Sequence, residues 1–565
     1  MCTTVFANIL KPIFVAEEVI ITYGVKPFDI CSKNAELWKY IKIIYMIIFL
    51  TSNLICSNLL YNKIPTQKKK KQKEIENDND LKLLIGYNRK TGEKVYLPKS
   101  GLFQNFLITG TIGSGKTSSA MYPFTKQLIK YNYLNPNKKI GMLILDVKGN
   151  YYSQVKKYVK DYNLQDDLIV IELNTNITYN PLHKPNLKPI VLANRLKTIL
   201  ELFSENNSES YWLDKAEQIL AEAIKLCRLY NHGYVTFAEI HNLVTKPDYY
   251  KEKIQNLREL FILNKFDREQ IYELNMALNF FEREFENLDS RTLGILKSEI
   301  TRITNTFISD YNVVKTFSPN REELTFLGFE DVIKNGKIVI LNMNIAEYKN
   351  LSKIIAAYLK LDFQTEIMRS LSNQKERITA FICDEYAEYV TKTDSDFFAL
   401  SREAKCINIV STQSYSSLKN TLKDETSVKV ICQNLINKIW FRTDDIFTIE
   451  EAQKQLGKED KEKVSKNISE SAKQTKYNYL TKSLVNKDSS ISESVNIYTQ
   501  NDYVYDTNFF TQELETFNAL CFLSNGNKIL KPTKIGMYPY FLEEKEEIWL
   551  KIKWNFFQDL YLYYQ

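Results

Sequence analysis

Residues Gly110, Thr111, Ile112, Gly113, Ser114, Gly115, Lys116 and Thr117 follow the pattern G-x-x-x-x-G-K-[ST], in a chain that has only 16 glycines among 565 residues. Clustered glycine at this spacing lets backbone N–H groups wrap a triphosphate, because the missing Cβ atoms permit left-handed and crowded dihedrals. In such a loop Lys116 reaches the β- and γ-phosphates and Thr117 supplies a hydroxyl to Mg²⁺. ATP and Mg²⁺ are the cofactors this chemistry calls for.

Binding alone does not hydrolyse. Hydrolysis requires a carboxylate at a neighbouring strand end to hold the metal, and a group that orients or deprotonates the attacking water. The apolar run Ile378 to Cys383 ends in Asp384 and Glu385, which supply a metal ligand and a candidate base. A second acidic strand end, Leu143 to Leu145 followed by Asp146, Val147 and Lys148, competes for the metal. It has no adjacent second carboxylate, so Asp146 is assigned to the lining of the nucleotide cleft. The run Ile407 to Val410 leads into Ser411, Thr412 and Gln413, where a glutamine amide can bond both the γ-phosphate and the water. Arg402, between these two strands, has two readings: a finger completing a neighbouring subunit's site, or a surface arginine paired with an acid.

These groups need elements to hold them. Asn105 to Thr109 is an apolar run suited to a buried parallel strand, and Met121, Phe124 and Leu128 recur at helical spacing after the loop. Phosphate then sits at a helix N-terminus, and Pro123 predicts a kink or a short first turn. Further strand-length runs at Ile140 to Leu145, Leu168 to Leu173, Ile338 to Leu341, Ile439 to Phe441 and Ala519 to Leu523, with helical stretches between most of them, predict an α/β fold with a parallel-rich sheet. Between Ile190 and Thr306 there is no strand run, while Trp212, Ala216, Ile219, Leu220, Ala223 and Leu226 fall at helical spacing. That interval reads as an all-α insertion. Residues 458–500, rich in Lys, Ser, Asn and Glu, read partly as a charged surface helix and partly as mobile chain.

The net charge of +7 is too small for this length to argue for nucleic acid by itself. The eight cysteines and three histidines form no metal-ligand pattern, which points away from zinc and disulfides and towards a reducing compartment. From Ile43 to Asn62 no residue is charged, enough length to cross a bilayer, and six lysines (Lys63, Lys68 to Lys71, Lys73) follow at once. Positive flanks stay cytoplasmic, so the remainder of the chain is expected on the cytosolic side of the cell membrane. Residues 4–25 are apolar but broken by Lys11, Pro12, Glu17 and Glu18, which leaves a second span open. The predicted divisions are an anchor region at 1–62, a polar linker at 63–80, a first ATPase part at 81–189 and the all-α insertion at 190–310. A second ATPase part follows at 311–545, then a tail at 546–565.

In this order the motifs resemble those of the coupling proteins of type IV secretion systems, the TraG/TraD-like conjugative DNA transfer ATPases. The matching pieces are the loop at 110–117 with Pro123, Asp146 to Gly149, Tyr179-Asn180-Pro181-Leu182, Ser210-Tyr211-Trp212, Asp384-Glu385, Ser401 to Ala404, Thr412-Gln413-Ser414 and Pro539-Tyr540-Phe541. The resemblance implies a RecA-like ATPase domain with an all-α insertion and an inner-membrane anchor, assembled as a homo-hexamer. It implies delivery of a relaxase-bound DNA strand or protein cargo to secretion channel components. It also places Mg²⁺ on Asp384, the base at Glu385 and a glutamine sensor at Gln413. Asn150 departs from the pattern, which often has Glu there. The DNA would be single-stranded and gripped through its phosphates without base reading. Two other readings remain open from the residues: a DNA pump of the FtsK/HerA type not tied to secretion, and a nucleotide-gated receptor for protein cargo.

Overall fold

The computed structural model describes residues 81–542 apart from 204–209, 263–265, 372–376, 471–474, 481 and 487–490. The predicted span at 43–62, the apolar stretch at 4–25, the linker and the tail lie outside the described residues. Among the described residues no helix is long and apolar enough to cross a membrane.

The strands are β1 (Lys82–Asn88), β2 (Lys94–Pro98), β3 (Phe106–Thr109), β4 (Gly141–Leu145), β5 (Leu168–Ile171), β6 (Ile338–Leu341), β7 (Thr379–Cys383), β8 (Cys406–Thr412) and β9 (Asn437–Trp440). After these come β10 (Lys458–Glu470), β11 (Thr475–Asn478), β12 (Ser483–Asn486), β13 (Ile491–Tyr503), β14 (Asn518–Phe522) and β15 (Thr533–Gly536). Eleven of them form one mixed sheet in the order β2-β1-β15-β14-β9-β3-β8-β7-β4-β6-β5. From β9 to β5 every pairing is parallel, and from β9 outward to β2 every pairing is antiparallel. Apart from the edge strand β5, the parallel strands are buried along their length because helices cover both faces. They therefore read as unbroken apolar runs, as in the fully buried Phe106–Thr109 and Thr379–Cys383.

β3 lies between β8 and β9, with Thr109 opposite Thr412 on one side and Trp440 on the other. Leu145 pairs with Cys383. The carboxyl ends of β3, β4, β7, β8 and β9 are thus level, and the segments that follow them crowd onto one edge of the sheet. Chain order reverses there, since β8 and β9 flank β3, and crevices at such switch points hold ligands in open α/β sheets.

From Pro189 to Phe317 the regular elements of the described chain are all helical, among them Pro189–Phe203, Ser210–Tyr230, Phe237–Thr245, Pro247–Ile262, Arg268–Asn279, Ser290–Ile308 and Tyr311–Phe317. Starts are set by caps, with reciprocal capping boxes at Thr236/Glu239 and Asp267/Gln270. Phe237 stacks flat on Phe307 with centroids 3.9 Å apart. The Tyr179-Asn180-Pro181-Leu182 segment ties this region to the helix Ile345–Ser370 that precedes β7. The Tyr179 hydroxyl donates to the buried carboxylate of Asp362 at 2.6 Å, and the Tyr358 hydroxyl donates to the carbonyl of Pro181 at 2.7 Å. Lys184 and Arg195 pair with the same carboxylate at 2.6 and 2.8 Å. Burial works against the Asp362 charge, but these two cations overcome it and hold the carboxyl below its ordinary range.

The described residues of 458–500 correct one part of the sequence reading, since none of them is in a surface helix. β10 pairs antiparallel with β13 from Lys458↔Tyr503 to Glu470↔Ile491, and β11 pairs with β12. Val464, Ile468, Val495, Ile497 and Thr499 favour an extended chain, and cross-strand pairs such as Lys463 with Asp502 at 3.1 Å replace the i,i+4 pairs of a helix.

Candidate functional site

Each motif reaches the shared edge by a short connection. After β3 the chain turns through Gly110 to Lys116, and the amides at its start are tied to neighbouring strand ends. Gly110 N–H donates to the carbonyl of Gln413 at 3.3 Å, and Thr111 N–H donates to that of Arg442 at 2.8 Å. Gly113 and Gly115 have φ of 77° and 102°. At Gly115 a Cβ would also lie 2.5 Å from the Phe517 ring, so both conformation and space demand glycine. The turn Thr117–Met121 that follows is wound as a π-helix before the helix Tyr122–Lys130. Pro123 has no N–H to give the preceding turn, so the predicted irregularity takes this form.

Lys116 is buried, and its ammonium curls back into the loop, donating to the carbonyls of Gly110 at 2.5 Å and Thr111 at 3.3 Å. Burial pushes its pKa down, opposed by the negative charges of Glu385 and Asp384. The Thr117 hydroxyl donates to Asp384 Oδ2 at 2.8 Å. The other oxygen of Asp384 accepts from the Ser411 hydroxyl and, at 3.1 Å, from Glu385 N–H. Burial pushes the Asp384 carboxyl above its ordinary value, with the Ser411 hydroxyl pulling it back and the charges of Asp146 and Glu385 adding to the rise.

Glu385 has φ of 50°, a left-handed conformation rarely taken outside glycine and asparagine, and its carboxylate is paired with Lys148 at 2.9 Å. Burial works against the charge on Lys148, but its hydrogen bond to the Glu385 carboxylate and the negative charges of Glu385, Asp384 and Asp146 together outweigh it and raise the pKa. The strained turn is braced from behind. Asp394 accepts from Lys360 at 2.7 Å, from the Tyr386 hydroxyl at 2.5 Å and from Thr391 N–H at 3.0 Å, all of it buried. Strain of this kind persists only where the surroundings over-determine it.

Gly110, Thr111, Ile112, Gly113, Ser114, Gly115, Lys116, Thr117, Asp384 and Glu385 therefore meet in one crevice. Gln413 joins them through its carbonyl, one residue beyond β8. Asp146 stands beside Asp384, but its oxygens accept from Lys148 N–H and Tyr151 N–H, both at 3.1 Å, and so fasten the start of the helix Tyr151–Asp161. Arg402 is exposed in the turn before β8, at the amino edge of the sheet. Seven residues of strand, about 20 Å at 3.3 Å per residue, separate it from this chain's own crevice. A hydroxyl and a carboxylate converging at 2.8 Å, with the phosphate loop alongside, are the hard oxygen donors Mg²⁺ takes when phosphates and water complete its shell. Sequence reasoning missed two neighbours of the loop: Arg442, whose carbonyl receives both the N–H and hydroxyl of Thr111, and Phe517, whose N–H donates to the carbonyl of Ser114 at 3.1 Å. Arg442 follows a strand run directly, which was a usable signal. Phe517 gave none.

Comparison with known proteins agrees with this geometry. The family model described as the TraM recognition site of TraD and TraG matches residues 379–496. The chain is similar to the type IV coupling proteins. It is 22% identical over 392 residues to the type 4 coupling protein DotL of Legionella pneumophila, a match covering 61% of this chain and 48% of DotL, so it spans about half of that relative's length. Among solved structures, the unbound bacterial conjugative coupling protein TrwB superposes with a TM-score of 0.51 at 13% identity, covering 80% of this chain and 88% of that one. TrwB in complex with ADP and Mg²⁺ gives 0.50 at 13% identity, covering 81% and 94%. At such identity these likenesses establish the mixed α/β fold with its large, parallel-rich sheet.

Proposed function

We propose that this chain is a membrane-anchored, ATP-driven coupling motor that delivers a nucleoprotein or protein substrate to a type IV secretion channel. The observation that carries the reading is the 2.8 Å contact between Thr117 and Asp384, residues 267 positions apart, which joins the phosphate loop and the carboxylate pair in one crevice. The loop amides and Lys116 bind the triphosphate, and Lys116 exchanges its two carbonyl partners for phosphate oxygens. Thr117 and Asp384 would hold Mg²⁺, which would supply positive charge to screen the phosphates. Glu385 takes the proton of the attacking water after Lys148 releases it, and Gln413 orients that water. Arg402 lies at the opposite edge, so a catalytic role for it requires the site of a neighbouring copy, the arrangement of the homo-hexameric ring in this reading. The TrwB complex with ADP and Mg²⁺ favours the same cofactors for this chain.

The catalytic part faces the cytosol, tethered through residues 43–62. Partners are DNA held by its phosphates, a relaxase or protein cargo, and channel components. The decisive experiment measures ATPase activity of the full-length chain with and without single-stranded DNA at two salt concentrations. DNA should stimulate turnover, more weakly at higher salt, and Lys116→Ala should abolish it while leaving the thermal midpoint near wild type. Full activity in Lys116→Ala would overturn the phosphate-loop assignment, and cargo binding without DNA stimulation would favour the receptor reading.

A further inference from the structure

The crevice has two ends, and only one is occupied by the carboxylates. Asp384, Glu385 and Ser411 stand on the side of β7 and β8. On the other side of the loop lies β9, followed by β14 and β15. A nucleotide whose γ-phosphate is directed at Asp384 and Glu385 must extend its base away from them, towards this second group of strands. β14 runs antiparallel to β9, so its start lies at the edge where the phosphate loop stands, and the chain leaving β15 emerges at the same edge, with Asn518 opposite Gly536.

What stands there is a run of aromatic rings. Phe517 packs on Gly115 and is fixed by two main-chain bonds, its N–H to Ser114 and its carbonyl from Met537 N–H at 2.8 Å. Its φ of 63° is a strained value for a bulky side chain. Phe541 lies 5.8 Å from Phe517 between ring centroids, Tyr540 lies 5.6 Å from Phe541, and Tyr540 sits edge-on to Tyr122 at 5.3 Å. Phe517, Tyr540 and Phe541, the row that links the loop to the first helical turn, are each only partly buried. A core would have buried these faces. Here they stay partly exposed beside the loop, and at Phe517 a strained backbone holds the residue in place.

We infer that Phe517 and Phe541 form the nucleobase subsite of this site, stacking the base of the bound nucleotide while the loop holds its phosphates. The inference rests on the phosphate-loop reading above. Stacking on aromatic faces contributes through the π-face that every base presents, so the pair favours the large faces of purines over those of pyrimidines.

The test compares ligands with and without a base. Titration calorimetry on the full-length chain would measure ADP, CDP and inorganic tripolyphosphate, each with Mg²⁺, against wild type, Phe541→Ala and Phe541→Trp. Phe541→Ala should weaken ADP by about 10-fold, within the range base–aromatic stacking shows on alanine substitution, and leave tripolyphosphate within about 2-fold. Phe541→Trp should bind ADP at least as tightly as wild type, and CDP should bind wild type more weakly than ADP. Equal losses for ADP and tripolyphosphate in Phe541→Ala, or no loss of ADP, would overturn the subsite. Phe517→Leu, which keeps bulk against Gly115, repeats the comparison if Phe541→Ala unfolds. Failure of wild type to bind any of the three ligands would instead remove the phosphate loop itself, and the subsite with it.

Discussion

Asp384 shows how the crevice trades stability for chemistry. Its folded carboxyl is raised, chiefly by burial, so the folded chain prefers it protonated. That contribution to stability is complete below the unfolded pKa of about 3.9 and is lost as pH rises through the folded value. At neutral pH the buried charge is therefore a cost. Asp384→Asn keeps the shape and can still hydrogen-bond to Ser411 and Thr117. Without Mg²⁺ or nucleotide its midpoint should rise by about 1–3 °C in a thermal melt at pH 7, the rise shrinking towards pH 4. Glu385→Gln should instead leave nucleotide binding intact and cut turnover by about 10²–10⁴-fold, the range of a lost general base. A Glu385→Gln variant that keeps wild-type turnover would take the base role from this residue. The carboxylate pair was legible because an apolar run ending in two acids has few other purposes beside a phosphate loop. The use Asp146 makes of its oxygens was not, since an acid after a strand reads alike whether it faces a cleft or caps a helix.

At the scale of elements, the parallel strands could be read because burial on both faces leaves continuous apolar runs. β1, β2 and β15 escaped notice for the converse reason. They are partly exposed edge or near-edge strands, with lysines at Lys82, Lys94 and Lys534 and glycines at Gly86 and Gly536 interrupting any pattern. The packing between elements was hidden altogether, as with the helix Ile345–Ser370, whose Lys360 reaches the turn after Glu385. Both Lys360 and Asp394 are fully buried, and burial pulls the Lys360 pKa down against the attraction of Asp394. Lys360→Met would leave the carboxylate buried without its cation, at a cost of about 3–5 kcal/mol. Denaturant unfolding should show that loss, and adding Asp394→Leu should recover a large part of it. The double variant should still turn over ATP poorly, because the turn that presents Glu385 loses its brace. Wild-type turnover in it would mean that the brace serves stability alone.

Across the whole molecule, the resemblance to coupling proteins came from motif order along some 460 residues, and the level strand ends explain why that order carries information: each motif must follow its strand by a fixed short step. The β10–β13 ribbon obeys no such constraint. One face carries Val464, Ile468, Val495 and Ile497, but Lys466 and Glu493 interrupt their alternation, and lysines and glutamates at high density imitate a surface helix. Its apolar side chains stay in water, with Val464 60%, Ile468 68% and Ile497 66% exposed. Its base is fastened where Val504 N–H donates to the carbonyl of Gly457 at 3.2 Å and Lys461 to that of Val504 at 3.1 Å. A two-stranded ribbon on its own is at best marginally stable in water, so the sheet supports the ribbon and receives little from it. Replacing residues 462–499 by an Asn-Gly turn, which closes the register at Lys461↔Gln500, should leave the calorimetric midpoint within about 2 °C and ADP affinity within about 2-fold, since less than about 1 kcal/mol is at stake. A drop of more than about 5 °C would place the ribbon in the folding unit instead. If the midpoint holds and DNA-stimulated turnover disappears, the ribbon is an arm that meets substrate or a neighbouring copy, and its uncovered apolar side chains are the face it offers.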